Sequence, residues 1–138
     1  VPPILPAVVL AVDPGTAKCG VAVVARGAPP RVLHRAVVET SGLAAHVLPL
    51  LAAHGVEAVL VGNATNGRPV AQAVRALLPP DFPLHQVEEA YTSERARRRY
   101  FAENPPRGLA RLIPAGMRTP PVPVDDWVAV LLAEAYFG

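Results

Sequence analysis

The chain has 138 residues, a net charge of only +2 and a hydrophobic content of 51%. That length suits one domain spanning residues 1–138, able to bury about two-thirds of its unfolded surface, and the positive mean hydropathy excludes a disordered chain. The total charge implies no strong field, although seven of the arginines fall between Arg95 and Arg118 and Lys18 is the one lysine. A nucleic-acid partner explains that arginine bias, because guanidinium grips phosphate bidentately; an arginine-favouring genome explains it equally well.

The opening residues to Val12 contain three prolines and no basic leader, and are far too short to cross a bilayer, so a soluble cytoplasmic protein is expected. From Val8 to Val24 two apolar, β-branched runs flank Asp13-Pro14-Gly15-Thr16-Ala17-Lys18-Cys19-Gly20, which predicts two buried strands joined by a tight loop. Asp13 stands where the first strand must end, since Pro14 cannot donate to a ladder. A carboxylate at the lip of a buried strand is costly unless solvated, paired or bound to a cation. Cys19, the lone cysteine, excludes a disulfide framework and is expected to pack as a small hydrophobe beside the turn.

Arg31 to Val38 alternates as a third strand, completing an antiparallel meander. Ser41 is a candidate N-cap for a helix to about His54, with Gly55 as its stop and Pro49 predicting a kink or an earlier end. Val56 to Val61 reads as a short buried strand and Gly62 to Gly67 as a polar loop. Val70 to Leu78 is a predicted helix stopped by Pro79-Pro80. Leu84 to Val87 is a short strand running into Glu88-Glu89, and Thr92 or Ser93 caps a helix to about Ala102. The stretch from Glu103 to Pro123 has six prolines and no clear period; Leu109, Leu112, Ile113 and Met117 predict that it packs on the domain. Val124 to Phe137 closes the chain as an apolar helix. The order describes an α/β protein with a five-stranded mixed sheet, three antiparallel strands then two parallel ones, flanked by helices; this is the layout of the RNase H-like fold.

The acids converge in that layout. Glu88-Glu89 ends the last strand, and Asp13 and Glu89 both emerge at the C-terminal edge of parallel strands, where open α/β sheets place ligands. Asp125 and Asp126 begin the last helix. At about 100° per residue, Val124, Val128, Leu131, Leu132 and Ala135 share one side; Asp125 borders that stripe, and Asp126 is expected to face water. Both acids also suit a helix N-terminus on dipole grounds alone. Three carboxylates meeting without basic partners repel one another unless a divalent cation sits among them, and all-oxygen sites suit Mg²⁺ or Mn²⁺. A two-metal cluster of this kind supports attack of water on a phosphodiester.

The motifs Ala11-Val12-Asp13-Pro14-Gly15 through Gly20-Val21-Ala22, Val87-Glu88-Glu89-Ala90-Tyr91-Thr92-Ser93, and Val124-Asp125 with Ala129, Leu131-Leu132 and Tyr136-Phe137 resemble the YqgF family. These are RuvC-like, RNase H-fold nucleases, and the resemblance spans essentially the whole chain. It implies Asp13, Glu89 and Asp125 as catalytic carboxylates and metal ligands. Glu88 and Ala90 replace the family's usual Asp and Arg, and alignment with strand alternation selects Glu89 over Glu88. The loop Gly62-Asn63-Ala64-Thr65-Asn66-Gly67 replaces the family's common Gly-Leu-Pro, leaving Asn63 and Thr65 as possible phosphate donors beside the plainer reading of a turn.

Lys18, Thr65, Arg95, Arg107, Arg111 and Arg118 are the candidates for a nucleic-acid rim. The pairs Glu94–Arg98 and Arg99–Glu103 read as a solvated helix face. The four histidines show no metal spacing, and Trp127 is expected to anchor the last helix. The resemblance implies a divalent-metal nuclease acting on structured nucleic acid, in ribosomal RNA end-processing or on four-way DNA junctions, with RNA favoured. A junction resolvase needs a two-fold dimer and no interface helix is written here, so a monomer or weak homodimer without membrane association is expected. An actin-like nucleotide-binding protein needs two related domains where this chain holds one. A non-catalytic nucleic-acid-binding relative would have carboxylates that do not converge.

Overall fold

The computed structural model describes residues 5–63, 66–88, 92–114, 120 and 123–138, with backbone alone at 92–94 and 110. Five strands form one sheet: β1 (Val8–Asp13), β2 (Lys18–Ala25), β3 (Arg31–Glu39), β4 (Ala58–Gly62) and β5 (Leu84–Val87). The strand order is β3-β2-β1-β4-β5. β1 pairs antiparallel with β2, and β2 with β3, while β4 lies parallel to both β1 and β5. The expected mixed sheet is realised, because short turns join the first three strands and helical crossovers join the parallel ones.

Alternation along the buried strands divides the core in two. Leu10, Val12, Val21 and Val23 face α1 (Leu43–Ala53) and α2 (Gly67–Arg75). Val9, Ala11, Ala22 and Val24 face α4 (Asp125–Phe137) together with Ala96 of α3 (Thr92–Glu103). The buried strands of the sheet thus bury side chains on both faces, which is why β1, β2 and β4 read as continuous apolar runs. Cys19 is fully buried in the first cluster, as expected of a small hydrophobe.

Several boundaries differ from expectation for physical reasons. Ser41 is not an N-cap: Thr40–Gly42 form a 3-10 turn, and α1 starts after Gly42 with no side-chain cap. Pro49 does not end α1, which runs on to Ala53, and Gly55 at φ 61° closes it as predicted. Helix α2 begins at Gly67, ahead of the predicted Val70, because Asn66 adopts the left-handed conformation that turns the chain into it. In the proline-rich stretch, Leu109 and Leu112 are 83% and 79% exposed in a 3-10 turn, so these two do not pack on the domain, and Ile113 is 43% exposed. A turn of five residues has no face long enough to commit to the core. Met117 lies outside the described residues. No described helix is long and apolar enough to cross a membrane.

On the α1 face, His34 Nε2 lies 3.0 Å from His46 Nε2, and its ring centroid is 6.4 Å from that of His54. Burial first, then the neighbouring His46 and His54, hold His34 below its ordinary value. The folded chain therefore binds this proton more weakly than the unfolded chain. Stability present above about pH 6.5 is lost as the pH falls from there through the lowered value. The melting temperature of the protein should drop across that window, and His34→Gln should flatten the drop; an equal slope in both proteins would show that the trio does not carry it.

Candidate active site

Asp13 is the last residue of β1 and lies directly across from Gly20 of β2. Opposed residues of an antiparallel pair project to the same face, with Cα atoms about 4.5–5.5 Å apart. That face is the α4 side, because Asp13 follows Val9 and Ala11, and Gly20 precedes Ala22 and Val24. On the other flank, Gly62 stands one residue beyond the Val12–Val61 pair and shares the face of Leu60; Gly62 in turn pairs with Val87 of β5. Across the C-terminal edge of the sheet, this row reads Gly20, Asp13, Gly62, Val87. The half-buried Asp13 thus has a glycine on each side in this row.

The start of α4 packs on Gly20. A Cβ on Gly20 would lie 1.9 Å from the Asp125 carbonyl oxygen and 2.7 Å from the Asp126 nitrogen. Only glycine permits so close an approach, and through it Asp125 is held over the strand pair that carries Asp13. Asp125 is half-buried, and among the described residues its carboxylate takes part in no hydrogen bond or ion pair.

Asp126 corrects the helical-wheel expectation. It is 6% exposed rather than facing water. Its Oδ2 accepts from Arg35 Nη1 of β3 at 2.5 Å, and its Oδ1 accepts from the Trp127 backbone N–H at 3.0 Å. The wheel assumed one buried stripe, whereas α4 is covered by the sheet and by α3, and buries Asp126, Trp127, Val128, Ala129 and Val130 in succession. Trp127 anchors the helix as expected, with the Arg35 guanidinium 4.2 Å and that of Arg99 5.3 Å from its ring centre.

The turn after Asp13 is tied from two distant elements. The Gly15 carbonyl accepts from the Thr40 hydroxyl at 2.9 Å and from Asn66 Nδ2 at 2.8 Å. Reasoning from local pattern missed both donors, as it missed Arg35. Arg35, inside β3 and followed by apolar residues, was the available signal.

Of the remaining candidates, Lys18 is exposed at the start of β2, and Arg95, Arg107 and Arg111 are exposed, with Arg111 Nε donating to Gly108 O at 3.4 Å. Asn63 is exposed in the loop after β4, where its N–H donates to the Val87 carbonyl at 2.9 Å. Arg99 pairs with Glu103 as expected, at 3.5 Å, and also with Glu134 of α4 at 2.8 Å. Glu88 is exposed. Glu89, Thr65 and Arg118 lie outside the described residues, as does the side chain of Glu94.

Hard, oxygen-only donors at one sheet edge fit Mg²⁺ or Mn²⁺. The described residues supply two such carboxylates, Asp13 and Asp125; among them, no three His, Cys, Asp or Glu are grouped to hold a metal ion.

Sheet order, crossover pattern and the helix laid over the acidic edge define an RNase H-like fold. The chain is similar to Thermus thermophilus RuvC in complex with a Holliday junction substrate, with 24% identity, a TM-score of 0.58 and coverage of 94% of this chain and 93% of that one. A second structure of Thermus thermophilus RuvC matches over the same shares at 21% identity and a TM-score of 0.56. At these identities the likeness is one of fold. No family model matches the chain, and no curated protein matches it.

Gly20→Ala should push α4 off the strand pair and lower the urea midpoint by the equivalent of about 1–3 kcal/mol, the usual cost of overpacking. Gly42→Ala, whose added methyl would meet nothing within 4 Å, is the control and should leave the midpoint nearly unchanged.

Proposed function

We propose that this protein is a divalent-metal-dependent nuclease hydrolysing phosphodiester bonds in structured nucleic acid, with Asp13, Glu89 and Asp125 as its metal-holding carboxylates. The observation that carries the reading is Asp13 between two strand glycines with the Asp125 backbone packed on one of them. Asp125 has no described basic partner, and a cation shared with Asp13 would neutralise it. Glu89 is the third on the strength of the motif Val87-Glu88-Glu89, which starts at the last residue of β5.

In this reading the chain's own residues orient and hold. Asp13 and Asp125 accept the cations, Lys18 and the exposed Arg95, Arg107 and Arg111 draw in the phosphate backbone, and Thr65 and Arg118 extend that rim. Bound Mg²⁺ or Mn²⁺ supplies the activation of water and the stabilisation of the leaving oxygen. The tied turn after Asp13 keeps the carboxylate from swinging as charge accumulates.

RNA is the substrate class proposed first, as the resemblance to YqgF-type enzymes of ribosomal RNA end-processing suggests, with the protein a monomer or weak homodimer. A second reading, cleavage of four-way DNA junctions, is favoured by the fold shared with a RuvC solved on a Holliday junction substrate. Wild type, Asp13→Asn and Asp125→Asn should be compared on 5′-extended RNA, single-stranded DNA and a four-way junction, with Mn²⁺ or EDTA. Each substitution should lower cleavage about 10³-fold or more, a loss of several kcal/mol of transition-state stabilisation, without lowering the melting temperature. Equal cleavage by all three proteins would place the activity elsewhere, and preference for the junction over RNA would select the second reading.

A further inference from the structure

The two acids at the start of α4 are neighbours in sequence with opposite surroundings. Asp125 is half-buried and its carboxylate has no described partner, while the buried Asp126 has both oxygens engaged. One oxygen takes the N–H of Trp127, which lies in the first turn where helical N–H groups have no intrahelical acceptor. The other takes the guanidinium of Arg35, a residue 91 positions away on β3. Arg35 also lies 4.2 Å over the Trp127 ring, so one side chain grips both residues that follow Asp125. Arg35 pairs with Ala22, two residues along β2 from Gly20, the glycine on which the Asp125 backbone rests.

We propose that Asp126 and Arg35 are positioning residues that fix the first turn of α4, and thereby set the Asp125 carboxylate against Asp13 for cation binding. This rests on the metal-site reading given above. Asp126 itself is not a ligand, since its oxygens are spent on the clamp, and a buried carboxylate left without its guanidinium would be an uncompensated charge. Arg35 is 40% exposed at its side chain, so it tolerates replacement and gives a second route to the same test.

Trp127 is the chain's one tryptophan and lies two residues from Asp125, so paramagnetic Mn²⁺ bound there should quench its emission. Mn²⁺ titrations should be run on wild type, Asp126→Asn, Arg35→Met, the double variant, Arg35→Lys and Asp125→Asn, each checked for fold by circular dichroism. Asp126→Asn and Arg35→Met should each raise the Mn²⁺ midpoint about tenfold, the usual effect of losing a residue that orients a ligand. The double variant should be no worse than the worse single one, Arg35→Lys should recover most of the affinity, and cleavage at saturating Mn²⁺ should stay within a few-fold of wild type. Asp125→Asn should lose binding. Unchanged midpoints in both single variants would overturn the clamp alone. So would complete loss of binding in Asp126→Asn with a wild-type midpoint in Arg35→Met, which would make Asp126 a ligand. A wild type that binds no Mn²⁺ would overturn the metal-site reading and the clamp together.

Discussion

The close seat of α4 on β2 is the constraint on which the rest of the structure depends. The helix approaches Gly20 more closely than a methyl group would allow, and this contact falls on the row of the sheet that carries Asp13. The next row on that face is Ala11 against Ala22, and the one beyond is Val9 against Val24. Side chains shrink from valine to alanine to glycine toward Asp13, and at the glycine the helix backbone crowds the place a methyl group would occupy. Burial of Trp127, Val128, Val130 and Leu132 drives it down, each large apolar side chain contributing about 1.5–3 kcal/mol. The same packing that stabilises the fold thus fixes the geometry of the candidate site.

Much of this was legible in the sequence because strand patterning is local. Two apolar runs around Asp13 to Gly20, an alternating third strand and short parallel strands led directly to the sheet that forms, and to Asp13 at its edge. Helix α4 was legible as a helix but not in its orientation. A wheel ranks residues only when one stripe is buried, and α4 is enclosed by sheet and by α3. Under those conditions the burial of an acid is decided by whether a cation reaches it, and Arg35 arrives from a strand remote in sequence. The exposed Leu109 and Leu112 show the converse: apolar character without a period carries no information about packing.

Long-range ties to one backbone atom were equally out of reach. The Gly15 carbonyl is held by Thr40 and Asn66, 25 and 51 residues away. Turn chemistry around Asp13-Pro14-Gly15 explains why the chain bends there, yet says nothing of what stops the bend from moving. The Thr40 hydroxyl spent on this tie belongs to the 3-10 turn that precedes α1, the position where a local reading looked for a helix cap. Asn66 does double duty, turning the backbone into α2 through its left-handed conformation while its amide reaches across to the turn. The loops after β1 and β4 are therefore joined at the edge where the acids lie.

Charge explains why a helix start can carry two adjacent acids with different fates. Either one is favoured by the partial positive charge of the helix N-terminus. Burying one is tolerable because Arg35 and the Trp127 N–H meet it, and that pairing locks the turn against the sheet. The other is half-buried, its backbone seated on Gly20, the strand partner of Asp13. In the proposed metal site, the buried acid supplies the rigidity with which its half-buried neighbour is presented.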